Sequence, residues 1–549
     1  MSRLTALGRR WVARSGLAFD LGVSIVLALV TLASRWPYRA RMLYNWDAVQ
    51  FALALREFDI AKHQPHPPGY VLYVGLGRLV NATLADPTLA YVTLAMIFSA
   101  ATTVTVYWLA RALYDRTTAG AAAALLAVSP LFWFYGSVGL TYAGEAFGAT
   151  LMALLAWRAL QGHVAHLYAG AVCLGLVGGL RPSVLLLLLP LWAVSAWLGI
   201  RERKRLIAAG ALLAAAVLAW FLPLVWLAGG WRAYLRASAE LYDMMVLPTS
   251  VLSGDPDATF RQARYVLESV LVGLGPLALA LAALPFVARR RGWTRREWFL
   301  LGWIAPPVAV YTLVHFGQAG YVLTFLPALV ILLSHAMVEL VTAGSQWLRR
   351  PQWRWALTAA ALGPLLLVNT GFFVSARPAP REFDRRAGEA WLWRAKDEAH
   401  DWILSRTASA LREHEAVLRA YVETIRAVYD PQDTALLTEL GNPRSYPWLR
   451  HAMFYMPEYA IYQLYLRADP PGFYASQAAT PMVPTPGTRI TVPRSIRQLV
   501  WFVDHWDPEL PRPRGLLEIQ LPYGRFLYVL PLGNTPAEHA GYTFVRAVP

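Results

Sequence analysis

The chain has 549 residues, 57% of them hydrophobic and only 15% charged, with mean hydropathy +0.38. Soluble domains carry roughly 25% charged residues, so a soluble globular class is excluded and a polytopic membrane protein is expected. A net charge of +16 and a pI near 10.0 would suit nucleic acid if the basic residues formed a face on a soluble domain. Residues 1–376 hold 30 Lys and Arg against 15 Asp and Glu, whereas 377–549 hold 20 against 19, so the excess belongs to the apolar half and to a membrane.

Crossing about 30 Å of hydrocarbon takes roughly 20 apolar residues. Suitable windows fall near 15–35, 89–111, 118–138, 140–158, 166–180, 182–199, 206–228, 265–288, 298–315, 320–343 and 355–376, which predicts eleven spans, the fifth of them short and the 118–160 and 166–199 runs open to other divisions. Short cytoplasmic loops collect Lys and Arg. With the N-terminus inside, Arg3, Arg9, Arg10, Arg14, Arg111, Arg116, Arg158, Arg201, Arg203, Lys204 and Arg205 are cytoplasmic, as are the clusters at 289–296 and 349–354. The 36–88 loop, the 229–264 loop and residues 377–549 are then outside. The basic start and the apolar run ending LAS resemble a secretory signal. The run is longer than the usual signal core of about 7–15 residues, so it is expected to be retained as the first span.

The first outer loop reads YNWDAVQFALALREFDIAKHQPHPPGYVLY over 44–73. Trp46, Val49, Leu53 and Phe58 share one side at helical spacing, which predicts an interfacial helix. Asp47 stands in its first turn, where the helix dipole favours a carboxylate. It is either a helix cap or, in a partly desolvated setting, a general base. Lys62, His63 and His66 follow, and Pro65, Pro67 and Pro68 restrict the backbone before Gly69 and Tyr70. A second membrane-surface helix is expected over VGLGRLVNATL.

Between the third and fourth spans, YGSVGLTYAGEAFGA places Tyr135, Tyr142 and Glu145 at or near the outer face. An acid inside an apolar stretch is costly and functional by default, the alternative being a hydrogen-bonded packing residue. In GGLRPSVLL, Arg181 is set at the outer interface with Pro182 opening the next helix. Its fixed donors suit a phosphate, against the plainer reading of a snorkelling arginine. The turn HFGQAGYVLTFLPAL adds His315, Gln318 and Tyr321, which either orient a headgroup or line the interface. The 229–264 loop is expected to be a lid over a lipid or acceptor site, with Asp243 its most notable acid, read first as part of a solvated helix face.

The last 173 residues lose the long apolar runs. Helices are expected from Glu382 to about Tyr429, and strands at TALLTEL, AIYQLYL, RQLVWFV, LLEIQL and RFLYVL, with Pro and Gly between them. The result is a small α/β domain outside the membrane. No glycine-rich phosphate loop, HExxH or GxSxG is present, so nucleotide-driven, zinc-protease and serine-hydrolase chemistry lacks a motif. The single cysteine, Cys173, leaves no intramolecular disulfide and no thiolate zinc cluster.

One span, a long outer loop with an early Asp47, HPPGY at His66 to Tyr70, Tyr142 with Glu145, and Arg181-Pro182-Ser183 together resemble the GT-C superfamily of membrane glycosyltransferases. The nearest branch is the glycosyltransferase family 39 type, which takes in protein O-mannosyltransferases and aminoarabinose transferases. The resemblance covers the first 200 residues best; the C-terminal domain matches only in position and size. It implies a GT-C-like membrane domain over 1–376 with an extracytoplasmic α/β domain over 377–549, in the plasma (inner) membrane of a bacterium. It also implies transfer of a sugar from a polyprenyl-phosphate donor to a lipid, glycan or protein acceptor at the outer face. Asp47 would take the proton of the attacking hydroxyl, Arg181 with Lys62 or His66 would face the leaving phosphate, and His63, Tyr70, Tyr142, His315, Gln318 and Tyr321 would line the substrate site. Some relatives carry an acidic pair where this chain has NWDA, which leaves Glu145 as the partner carboxylate and a divalent metal as an open possibility. The competing classes are a transporter or flippase of lipid-linked sugars, which should show inverted repeats or broken midplane helices, and a non-catalytic protein that presents acceptors. The sequence shows neither repeats nor broken helices, and an intact Asp47 argues against the non-catalytic reading.

Overall fold

A computed structural model describes residues 2–376, 405–442, 445–476, 484–533 and 535–547. The chain divides into two compact units. The first takes in residues 1–40, 70–226 and 238–411; the second takes in 41–69, 227–237 and 412–549. The loop 41–69 thus belongs to the same unit as the C-terminal chain.

The first unit is a helical membrane bundle. Its helices are α1 (Ser2–Arg35), α3 (Val71–Leu84), α4 (Pro87–Leu113), α5 (Arg116–Ala127), α6 (Pro130–Tyr135), α7 (Tyr142–Leu160), α8 (Val164–Leu180), α9 (Pro182–Gly199) and α10 (Arg203–Leu227). After α11 (Trp231–Leu241) come α12 (Ala258–Leu274), α13 (Leu284–Arg291), α14 (Arg295–Leu313), α15 (Leu326–Trp347) and α16 (Arg354–Ser375). Helix α2 (Trp46–Arg56) belongs to the second unit. Among the described residues, seven helices are long and apolar enough to cross a membrane, so this is an integral membrane protein.

Several windows break where local chemistry demands it. The expected span 118–138 is two helices, because α5 stops at Ala127 and Ser129 starts α6 with its hydroxyl on the Phe132 amide and Pro130 at the first position. The expected 265–288 span is α12, a 3-10 stretch over Gly275–Ala283, and α13, joined at Gly275 with φ +55°. The membrane-surface helix expected over VGLGRLVNATL is α3, which packs on α4 and α8 and buries Tyr73, Val74 and Gly77. The 229–264 loop is α11, a π turn, two short 3-10 turns and the start of α12, with Asp243 exposed.

The second unit holds a seven-stranded sheet in the order β4-β3-β2-β1-β6-β8-β7 and a three-stranded sheet β5-β10-β9. The strands are β1 (Thr434–Leu440), β2 (Ala460–Tyr465), β3 (Gly472–Ala475), β4 (Thr485–Pro486), β5 (Arg489–Val492), β6 (Gln498–Trp501), β7 (Leu517–Leu521), β8 (Arg525–Pro531), β9 (Ala537–His539) and β10 (Tyr542–Arg546). All five expected strands are present as β1, β2, β6, β7 and β8. Strand β1 pairs parallel with both β2 and β6, and the other pairs in this sheet are antiparallel. Because side chains alternate across a strand, Leu436 faces one core and Ala435 and Leu437 the other. Helix α17 (Ala408–Val428) covers the Leu436 face with Leu418, Tyr421, Val422 and Ile425, which recur at helical spacing. The three-stranded sheet covers the opposite face through Ile490, Val492 and Phe544. The expected helical stretch beginning at Glu382 lies outside the described residues as far as 404.

Candidate active site

In the second unit, Asn45 caps α2: its backbone is extended and its Oδ1 accepts from the Ala48 amide at 3.0 Å. The cap is therefore Asn45, and Asp47 lies in the first turn. The helix is not the amphipathic surface element expected, since Ala48 to Ala54 are all buried. Downstream, His66 Nδ1 is 2.7 Å from Gln50 Oε1 and 3.8 Å from Asp47 Oδ1. That shared neighbourhood ties the HPPGY segment to the helix carrying Asp47.

The loop between them is pinned on itself. Asp59 and Gln64 exchange backbone hydrogen bonds at 2.7 and 2.8 Å, and Lys62 Nζ lies 2.6 Å from Glu57 Oε1 and 3.8 Å from Asp59 Oδ2. The hydrogen bond to Glu57 raises the Lys62 ammonium above its ordinary value, so a phosphate would have to compete with two carboxylates for it. His63, at φ +54°, is held neutral, its imidazole pushed down to about 3 by burial and then by the nearby Arg450. The C-terminal chain supplies the rest of the support, through residues that no motif marked. Arg450 Nη2 donates to the Lys62 carbonyl at 2.6 Å, Tyr446 Oη accepts from the Trp46 amide at 2.6 Å and Tyr455 Oη accepts from the Leu43 amide at 2.8 Å. His451 Nε2 lies 3.1 Å from the Leu43 carbonyl. All of these contributors sit on or beside α18 (Leu449–Tyr455), an aromatic-rich segment with no pattern that announces such a role.

The first unit carries a separate constellation. Glu145 is in the first turn of α7, and Arg181 is the extended residue between α8 and α9, with Pro182 opening α9 as expected. Arg181 Nε and Glu145 Oε2 are 2.8 Å apart, with side-chain exposures of 8% and 0%. Thr324 and Tyr311 both donate to Glu145 Oε1, Tyr311 at 3.3 Å, and Arg181 Nη1 donates to Thr141 Oγ1 at 2.8 Å. The guanidinium lies 4.6 Å from the ring centres of both Tyr142 and Tyr321, a stacking that suits its planar, weakly hydrated cation. Gly320 has no side chain because Tyr142 occupies the space a Cβ would need. Thr141, Tyr311 and Thr324 escaped notice in the sequence; their one signal is a polar group inside an apolar run.

His315 Nδ1 is 2.8 Å from Thr249 Oγ1. Gln318 precedes the 3-10 turn Ala319–Thr324 that carries Tyr321. Tyr70, at φ +45°, precedes α3 and is buried. Among the described residues no group of three or more His, Cys, Asp or Glu is gathered to hold a metal ion.

Residues 51–206 match the family model described as the protein O-mannosyl-transferase TMEM260 N-terminal domain. The stretch carries a glycosyltransferase family signature. His66 to Tyr70, Tyr142, Glu145 and Arg181 all fall inside it, and Asp47 lies just ahead of it. The resemblance to protein O-mannosyltransferases read from those motifs is thereby borne out over 51–206. Among solved structures, the chain is similar to ArnT from Cupriavidus metallidurans bound to undecaprenyl phosphate, at 14% identity and TM-score 0.47, over 82% of this chain and 86% of that one. It is also similar to the Archaeoglobus fulgidus oligosaccharyltransferase in complex with Zn and sulfate, at 17% identity and TM-score 0.45, over 80% of this chain and 62% of that one. No curated protein matches the chain.

Proposed function

We propose that this membrane protein transfers a sugar from a polyprenyl-phosphate donor to a hydroxyl acceptor on a lipid, glycan or protein. The observation that carries the reading is the family match over 51–206, with the paired, buried Glu145 and Arg181 inside it. In the reaction the acceptor oxygen bonds to the anomeric carbon and the bond from that carbon to the phosphate oxygen breaks. The phosphate leaves with the bonding electrons as polyprenyl phosphate, and the acceptor proton passes to a base. Asp47 is that base. Its helix is capped by Asn45, so capping gives no reason for a carboxylate at position 47, and His66 beside it fixes its surroundings. Arg181 faces the leaving phosphate as a cation held by two tyrosine rings, and Glu145 sets its orientation and balances its charge before substrate arrives.

The architecture proposed with this reaction is a catalytic membrane domain over 1–376 with eleven spans, an extracytoplasmic domain over 377–549, and an active site on the outer face of a bacterial plasma membrane. Reporter fusions after Arg203 and at the C-terminal end test that placement; a cytoplasmic C-terminus overturns it. The chemistry is tested by Asp47→Asn in the purified chain with a polyprenyl-phosphate sugar. Turnover should fall by about 10²–10⁴-fold, the usual weight of general-base catalysis, with donor binding retained. Transfer at the wild-type rate would remove Asp47 from the mechanism.

A further inference from the structure

A pocket in the first unit lies at the basic-loop end of the bundle, lined by the end of α4, by α13, by the start of α14 and by α15. It is distinct from the Glu145 and Arg181 cluster: Arg296 and Tyr311 are fifteen residues apart on α14, about 22 Å at the rise of an α-helix.

We propose that this pocket binds the phosphate headgroup of an anionic glycerophospholipid. Its polar wall is cationic. Five arginines fall within 289–296, and of the two that line the pocket Arg291 is paired with Glu339 at 2.8 Å. Arg296 has no carboxylate within ion-pair distance among the described residues, and its guanidinium lies 5.8 Å from the centre of the Tyr114 ring. The adjacent acid, Glu297, accepts from the Tyr114 hydroxyl at 2.9 Å and from the Thr294 amide at 2.8 Å. Tyr114 stacks on His335 at 3.8 Å. His335 is only 9% exposed and its Nδ1 has no hydrogen-bond partner among the described residues, which leaves a buried polar group without its complement.

An apolar wall is formed by Leu284, Val287 and Leu332, and exposed Trp293, itself part of the lining, stands 5.7 Å from exposed Trp298. Tryptophans of this kind sit at headgroup level. A cation, a buried unsatisfied imidazole, an apolar wall and an aromatic rim describe an amphiphile with an anionic head. Basic pockets between membrane helices take such lipids, whereas a free anion would leave the apolar wall unused.

The test is native mass spectrometry of the full chain in detergent, titrated with phosphatidylglycerol, phosphatidylcholine or inorganic phosphate. Wild type should hold one phosphatidylglycerol more tightly than any phosphatidylcholine. Arg296→Gln should weaken that lipid by about fivefold, the weight of one basic residue against an anionic surface, and Arg296→Lys should restore most of it. Ala288→Trp, which fills the pocket and removes no charge, should also lose the lipid. Arg205→Gln, a basic-loop change outside the pocket, should leave it. Equal affinity for the two lipids, an unchanged affinity in both Arg296→Gln and Ala288→Trp, or full competition by inorganic phosphate alone would each overturn the assignment.

Discussion

Arg181 Nε lies 2.8 Å from Glu145 Oε2, both side chains being nearly or fully buried, and the pair is closed by Thr141, Tyr311 and Thr324. Neither residue is isolated. An intramembrane acid is expensive, and so is a buried guanidinium, but each supplies the counter-charge that the other needs. Removing one partner leaves the other uncompensated, typically at a cost of about 3–5 kcal/mol. Glu145→Ala and Arg181→Ala should therefore each lower the melting temperature in detergent, while the double variant should be less destabilised than the sum of the two. Strict additivity in that cycle would mean that the pair is not coupled.

Asn45 and Asp47 separate two roles that the sequence left entangled. Asn45→Ala removes the cap and should cost about 1 kcal/mol of stability with turnover per folded molecule kept. Asp47→Asn should do the reverse. Melting curves and single-turnover rates on the same samples check both; a stability loss in Asp47→Asn equal to that of Asn45→Ala would return Asp47 to a structural role.

Gly320→Ala should act on the site through Tyr142, whose ring fills the position of the added Cβ. Overpacking of this kind costs about 1–3 kcal/mol. Since the ring it displaces is one of the two beside Arg181, donor affinity should fall together with stability, which donor titration of the folded fraction reads. Unchanged donor affinity there would detach Tyr142 from Arg181.

His451 is fully buried in the second unit, and burial, then His414, pushes its imidazole down to about 3; burial pushes His414 to about 4. In the unfolded chain both titrate near the ordinary value of about 6.5. Between those values the unfolded state binds more protons, so stability is complete above about pH 6.5 and falls as the pH drops, by up to roughly 1.4 kcal/mol per pH unit for each histidine. Melting between pH 4.5 and 7.5 should show that slope, and His451→Gln should flatten it. An acid slope unaltered by the substitution would assign it to other groups.

Apolar run lengths, loop charges and the HPPGY, Tyr142, Glu145 and Arg181-Pro182 motifs made the membrane class, the glycosyltransferase signature and five C-terminal strands legible without coordinates. These are local or compositional quantities, and strand alternation or a window of twenty apolar residues carries its meaning within itself. The sequence could not tell that Asn45 and not Asp47 caps α2, because both residue types cap well. Nor could it tell that 118–138 breaks at Ser129, since apolar residues on either side of a serine read as one run.

Only the tertiary structure brought Tyr311 and Thr324 to Glu145, and Arg450, Tyr446 and His451 to the loop carrying Asp47. Those contacts join residues far apart in the chain, and one polar side chain in an apolar stretch does not reveal which distant partner satisfies it. A buried charge must be matched in space, and that matching is settled when helices and sheet pack, not by any residue's neighbours in sequence.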